Sequence, residues 1–218
     1  MPVPMGVSGV QAVPNTLYSV VPSMFMSLRI SETTGQRIEA IALRCQIRIE
    51  NARRRYSDEE AERLNDLFGE TQRWADTLKP VQFINLSIMV PGFTGSTDVD
   101  LTVPLTHDME IGATRYFAGL DDGDVPLLLL FSGTIFSIAD GRMSVTQVPW
   151  SKEVTYRLPV TVWREAIDAH FPNAAWIRMS TYSFNQLLRF KLARGLPTWE
   201  ATILTLLSEA ADRAEDAV

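Results

Sequence analysis

The sequence predicts an α+β fold, an antiparallel β-sheet with a helical insertion and C-terminal helices. Three observations predict it. Apolar residues alternate with polar ones through most of the first two thirds, which is how strands with one face on a core and one in water read. A capped helical stretch at 57–78 interrupts those strands. From Pro159 onward the apolar period lengthens to that of helices, and strands followed by helices is the α+β order.

The first clear strand carries Met24, Met26, Leu28 and Ile30 alternating with Phe25, Ser27 and Arg29. Thr34-Gly35 supplies a turn, and Ile41, Leu43, Cys45, Ile47 and Ile49 then face one way while Arg44, Gln46, Arg48 and Glu50 face the other. Ser57 and Glu60 form a capping box, in which each side chain satisfies an orphan amide at a helix start. Ala61, Leu64, Leu67 and Phe68 line the helix, Gly69 ends it, and a shorter helix carries Trp74 and Leu78 up to Pro80.

Strand patterning resumes over Val81 to Val90 and is expected to stop at Pro91-Gly92. Val99, Leu101, Val103 and Leu105 alternate next, followed by a strand through Met109, Ile111 and Ala113 ending near Phe117. The acidic turn Asp121-Asp122-Gly123-Asp124 leads into the most apolar strand, Val125 to Ile138, and Asp140-Gly141 signals a hairpin into Met143 to Val148. Helices follow on Val160, Trp163, Ile167 and Phe171, on Phe184, Leu187, Leu188 and Leu192, and on Ile203, Leu204, Leu207 and Ala211. The expected organisation is an irregular arm at 1–22, one domain over 23–208 with helices from 159, and a frayed tail at 209–218. Pro2, Pro4, Pro14 and Pro22 break the uncharged arm, and its start lacks Lys or Arg, so a secretory signal is not expected.

Composition narrows the function classes. At 218 residues and 46% hydrophobic content the chain can bury a sizeable core. A net charge of -6 argues against nucleic acid as a partner. The longest apolar run, Val125 to Phe131, is far short of the roughly 20 residues that span a bilayer. One cysteine and two histidines cannot alone make a four-ligand zinc site, and no cofactor or metal is expected. A single cysteine suits a reducing, cytoplasmic setting.

Candidate chemistry is thin. His107, Asp108 and Glu110 could form an acid-base site, but regular alternation puts His107 and Asp108 on opposite faces of a strand. Asp121, Asp122 and Asp124 lack the spread of a calcium loop and read as a solvated turn. Cys45, between Leu43 and Ile47 on the core face, reads as a buried, inert thiol. Candidate contacts for a partner are Met24 and Met26 beside the arm, Phe93, the basic run Arg53, Arg54 and Arg55, and Trp150 at a strand end. Methionine adapts to varied ligands and arginine offers a multidentate cation.

Two resemblances add to this reading. Val125-Pro126-Leu127 to Phe136, Leu158 to Ile167, and Phe171-Pro172 to Leu188 resemble segments of the SecB export chaperone fold, which implies a sheet and helices that hold polypeptides. Gln46-Ile47-Arg48-Ile49-Glu50, Arg54-Arg55-Tyr56-Ser57, Leu67-Phe68-Gly69 with Trp74, Phe93-Thr94-Gly95-Ser96, Phe131-Ser132-Gly133 and Leu196-Pro197-Thr198-Trp199-Glu200 resemble an uncharacterised bacterial family. Its genes lie beside those of high-affinity nickel-iron uptake hydrogenases. The resemblance implies a non-catalytic accessory or assembly chaperone that holds a hydrogenase subunit or other polypeptide client and can form a homo-oligomer. The alternatives are a non-catalytic structural subunit of a redox complex and an enzyme using His107, Asp108 and Glu110.

Overall fold

The computed structural model describes residues 5–15, 21–105, 112–139, 141–172 and 179–215. Among these residues eight strands alternate with six helices: β1 (Met5–Asn15), β2 (Ser23–Glu32), β3 (Ile38–Ile49), α1 (Asp58–Phe68), α2 (Trp74–Thr77), β4 (Val81–Phe93), β5 (Ser96–Pro104), α3 (Ala113–Ala118), β6 (Asp124–Ala139), β7 (Arg142–Gln147), β8 (Glu153–Pro159), α4 (Val160–Asp168), α5 (Thr181–Ala193) and α6 (Trp199–Glu215). The fold is α+β, with antiparallel sheets. By packing, the chain divides into two compact units, Met1–Asn173 and Ala174–Val218, where the sequence suggested one domain over 23–208.

In the first unit, a three-stranded sheet has the order β1-β2-β5, and a five-stranded sheet runs β4-β3-β6-β7 with β8 also on β6. β6 is long enough to hold β3 along one edge and, end to end, β8 and β7 along the other. Alternation sorts the side chains as expected. Met24, Met26, Leu28 and Ile30 of β2 join Ile41, Leu43, Cys45, Ile47 and Ile49 of β3 and Val125, Leu127 and Leu129 of β6 in one core. Each such aliphatic side chain contributes about 1.5–3 kcal/mol on burial.

The capping box of α1 forms as predicted, with the Glu60 amide donating to Ser57 Oγ and the Ser57 amide to Glu60 Oε2, both at 3.2 Å. Leu64 and Phe68 bury one face of that helix. Trp74 packs edge-on to Tyr56 and Phe68, and Tyr116 and Phe117 of α3 continue the aromatic cluster to Trp163 of α4. α4 in turn packs on β1 and β2.

Four expectations are corrected. Residues 5–15, read as part of an irregular arm, form β1, because the chain pairs with β2 around a register shift between Ser8 and Gln11 and places Pro14 on a sheet edge where its missing N–H costs little. β4 continues through Pro91 and Gly92 for the same reason, being the other sheet's edge. Ala113 to Phe117 is helical, and the buried Ala113, Tyr116 and Phe117 fall at the i, i+3, i+4 spacing of one helix face. Glu153–Pro159 is a strand that the sequence reading passed over. The expected strand residues Met109 and Ile111 lie outside the described residues.

The second unit holds α5 and α6, which pack on each other. α6 continues through Glu215, so the expected fraying from 209 is not seen up to there; Glu209 pairs with Arg194 at 2.7 Å and Arg213 at 3.7 Å. Phe184 meets Trp199 at 5.2 Å between ring centres. Thr202 is the one buried side chain on the described parts of these two helices, and Tyr182, Leu192, Leu204 and Leu207 are exposed.

Candidate functional site

The five-stranded sheet is apolar on both faces at one end. Odd-numbered side chains of β6, among them Leu129, Phe131 and Ile135, are buried in the core. Alternation therefore puts Phe136 and Ile138 on the opposite face. Register then sets a row across four strands: Pro91 beside Ala40, Ala40 beside Phe136, and Phe136 beside Val145. Ile138 pairs with Met143 at one side of this row, and Met89 pairs with Ala42 at the other. Exposure is high for such side chains: 61% for Met89, 48% for Ile138, 73% for Met143 and 57% for Val145.

Toward the other end polar side chains join half-buried Leu128 and Leu130 on the same face. Arg44 pairs with Ser87 and Ser132, Gln46 hydrogen-bonds Gln82, and Arg48 lies beside Leu128. Contiguous exposed apolar surface of this kind marks interaction sites.

The residues singled out in the sequence scatter. Met24 and Met26 are 0% exposed, so as surface contacts they are corrected: the alternation that identified β2 points both into the core. Phe93 is half-buried and packs against the core, beside Ile38. The basic run splits. Arg53 is exposed, 3.8 Å from Glu50, and Arg55 is exposed, but Arg54 is enclosed and is corrected as a partner contact. Trp150 is 93% exposed in the turn between β7 and β8. Sequence reasoning missed Met89, Ile138, Met143 and Val145; the signal was apolar residues on the supposedly polar phase of their strands.

Arg54 instead makes two bonds of 2.9 Å to Glu60 and donates to Asp122 O, while the Asp121 amide donates to Glu60 Oε1. The acidic turn at 121–124 is thus anchored by its backbone to α1. Tyr56 donates to Asn51 O and meets Tyr116 Oη at 2.9 Å. Burial above all pushes the Tyr116 phenol up, and burial pushes the Cys45 thiol up to about 12, which leaves Cys45 an inert core residue. His107, Asp108 and Glu110 lie outside the described residues. Among the described residues no group of three or more His, Cys, Asp or Glu could hold a metal ion, and no helix is long and apolar enough to cross a membrane. A shallow depression beside α1 is lined by Asp58, Glu62, Asn65, Glu70 and Gln72.

Across residues 4–215 the sequence matches DUF6084, a family of unknown function. The chain belongs to this family. No curated protein matches it. Similar solved structures include β-glucosidase 3B from Thermotoga neapolitana in complex with glucose, at 10% identity and a TM-score of 0.28, and a β-glucosidase from Kluyveromyces marxianus, at 9% identity and a TM-score of 0.21. Each alignment covers 71% of this chain, but only 17% and 15% of those chains respectively. Likenesses this distant say nothing about the activity of the DUF6084 chain.

Proposed function

We propose that this DUF6084 protein is a non-catalytic, cytoplasmic accessory protein that holds a polypeptide client on the outer face of its five-stranded sheet. The observation that carries the reading is the apolar row of exposed Pro91, half-buried Ala40 and Phe136, and exposed Val145, with its exposed neighbours Met89, Ile138 and Met143. A fold that leaves such a row open forgoes roughly 1.5–3 kcal/mol for each large side chain, and a partner that covers it recovers that energy. The client expected from the sequence resemblance is a nickel-iron hydrogenase subunit or its precursor. Arg44 and Arg48, beyond the row, would pair with acidic residues of that client.

The test is co-purification from native cells of the tagged wild-type chain and of Met89→Lys. A hydrogenase subunit retained by the wild type and lost from the variant supports the proposal. Retention by both, or by neither, contradicts it.

A further inference from the structure

β7 is a bare edge. Its Arg142, Ser144 and Thr146 bond to β6, which follows from the Val148–Gly133 bond and the β6–β7 register. The N–H and C=O groups of Met143, Val145 and Gln147 therefore point away from the sheet, and among the described residues no strand pairs with them. Other edges carry blunting devices: β1 has Pro14 and a register shift, and β4 has Pro91. β7 has no Pro, no Lys and no mid-strand charge, and its side chains on the outer face are apolar at 143 and 145.

We propose that β7 pairs with β7 of a second copy about a two-fold axis through Val145, joining two five-stranded sheets into one. Outward-facing groups pair with outward-facing groups only if odd residues meet odd residues. Placing Val145 on Val145 also sets Met143 opposite Gln147, and Pro149 opposite Gly141 of the second copy. Trp150, just beyond Pro149, then stands next to the second copy's Gly141, whereas a register with Met143 opposite Val145 carries Trp150 past it. The arrangement is self-complementary, as a two-fold interface requires.

Two tryptophans can bury about 150–250 Å² each, and the paired strand edges, two Met143 and two Val145 add to that, toward the roughly 1,000 Å² expected of a specific interface. The dimer also places two apolar outer faces side by side. It does not rest on the client assignment, since a dimer forms with or without a client.

The test uses the full chain. Val145→Cys places two thiols on the axis, where paired Cα atoms lie about 5.5 Å apart, within reach of a disulfide. Mild oxidation should give a covalent dimer from Val145→Cys and none from Met89→Cys; native Cys45 is buried and does not interfere. Sedimentation should show a dimeric wild type and a Val145→Lys variant whose dimer is weakened about fivefold by like charges on the axis, with unchanged circular dichroism. A wild type that is monomeric at tens of micromolar overturns the proposal. So does a dimer that survives Val145→Lys while Val145→Cys gives no cross-link.

Discussion

Arg54 grips Glu60 through two parallel N–H···O bonds of 2.9 Å, with the two side chains only 8% and 6% exposed. The pair ties the middle of the basic run to α1, and its further bonds reach the backbone at Ser57, Asp121 and Asp122. Removing one partner leaves the other charge enclosed and unpaired, so Arg54→Ala should cost about 3–5 kcal/mol. Exposed Arg55→Ala should stay within about 0.5 kcal/mol. Denaturant unfolding of the two variants checks the contrast.

The same pair predicts acid sensitivity. Burial pushes the Glu60 carboxyl up, but hydrogen bonds from Arg54 and from the Asp121 and Ser57 amides outweigh it and hold the group below its ordinary 4.5. A carboxyl depressed by folding contributes stability that is fully present above that ordinary value and lost as pH falls through the folded one. Stability should therefore drop below about pH 4.5, and Glu60→Gln should flatten that part of the curve. Thermal unfolding across pH 2–6, in wild type and variant, measures it.

Gly133 sits where only glycine fits. Its φ is 144°, and a Cβ there would lie 2.0 Å from the Ala42 carbonyl oxygen on the paired strand. Gly133→Ala should destabilise the fold by more than about 2 kcal/mol, as strain and a displaced β3–β6 contact combine. Gly35, with open space around its Cβ position and a φ of 78°, should cost only about 1 kcal/mol when changed to Ala. Chemical denaturation of the two variants compares them.

Buried and exposed methionines should respond oppositely to charge. Met24→Lys puts an ammonium into the core and should cost about 4 kcal/mol or more, enough to lower expression of folded protein. Met89→Lys, on the open outer face, should leave the melting temperature nearly unchanged. Differential scanning calorimetry of the pair decides it.

Much of the fold was legible because alternation is a direct imprint of a half-buried strand. It placed β2, β3, β5 and most of β6, and the Ser57–Glu60 box marked the start of α1. The misses have physical causes. β1 and the end of β4 contain prolines that read as breakers unless the strand is known to lie on an edge, and edge position is a property of the assembled sheet. Ala113, Tyr116 and Phe117 carried helical spacing, but the apolar residues before them masked it. The site was harder to see. Alternation that identifies Met24 and Met26 as strand residues also sends them inward, and nothing local to Arg54 shows that Glu60 will close on it. Met89, Phe136 and Val145 are far apart in sequence and become one row only through the registers of three strand pairs.

The most direct measurement is photo-crosslinking in native cells from a benzophenone side chain at position 89 of the outer face, compared with one at position 37 in the exposed turn before β3. A hydrogenase-subunit adduct from position 89 and none from position 37 is the predicted result. No such adduct from position 89, or equal yields from both, would contradict the claim that the outer sheet face holds the client.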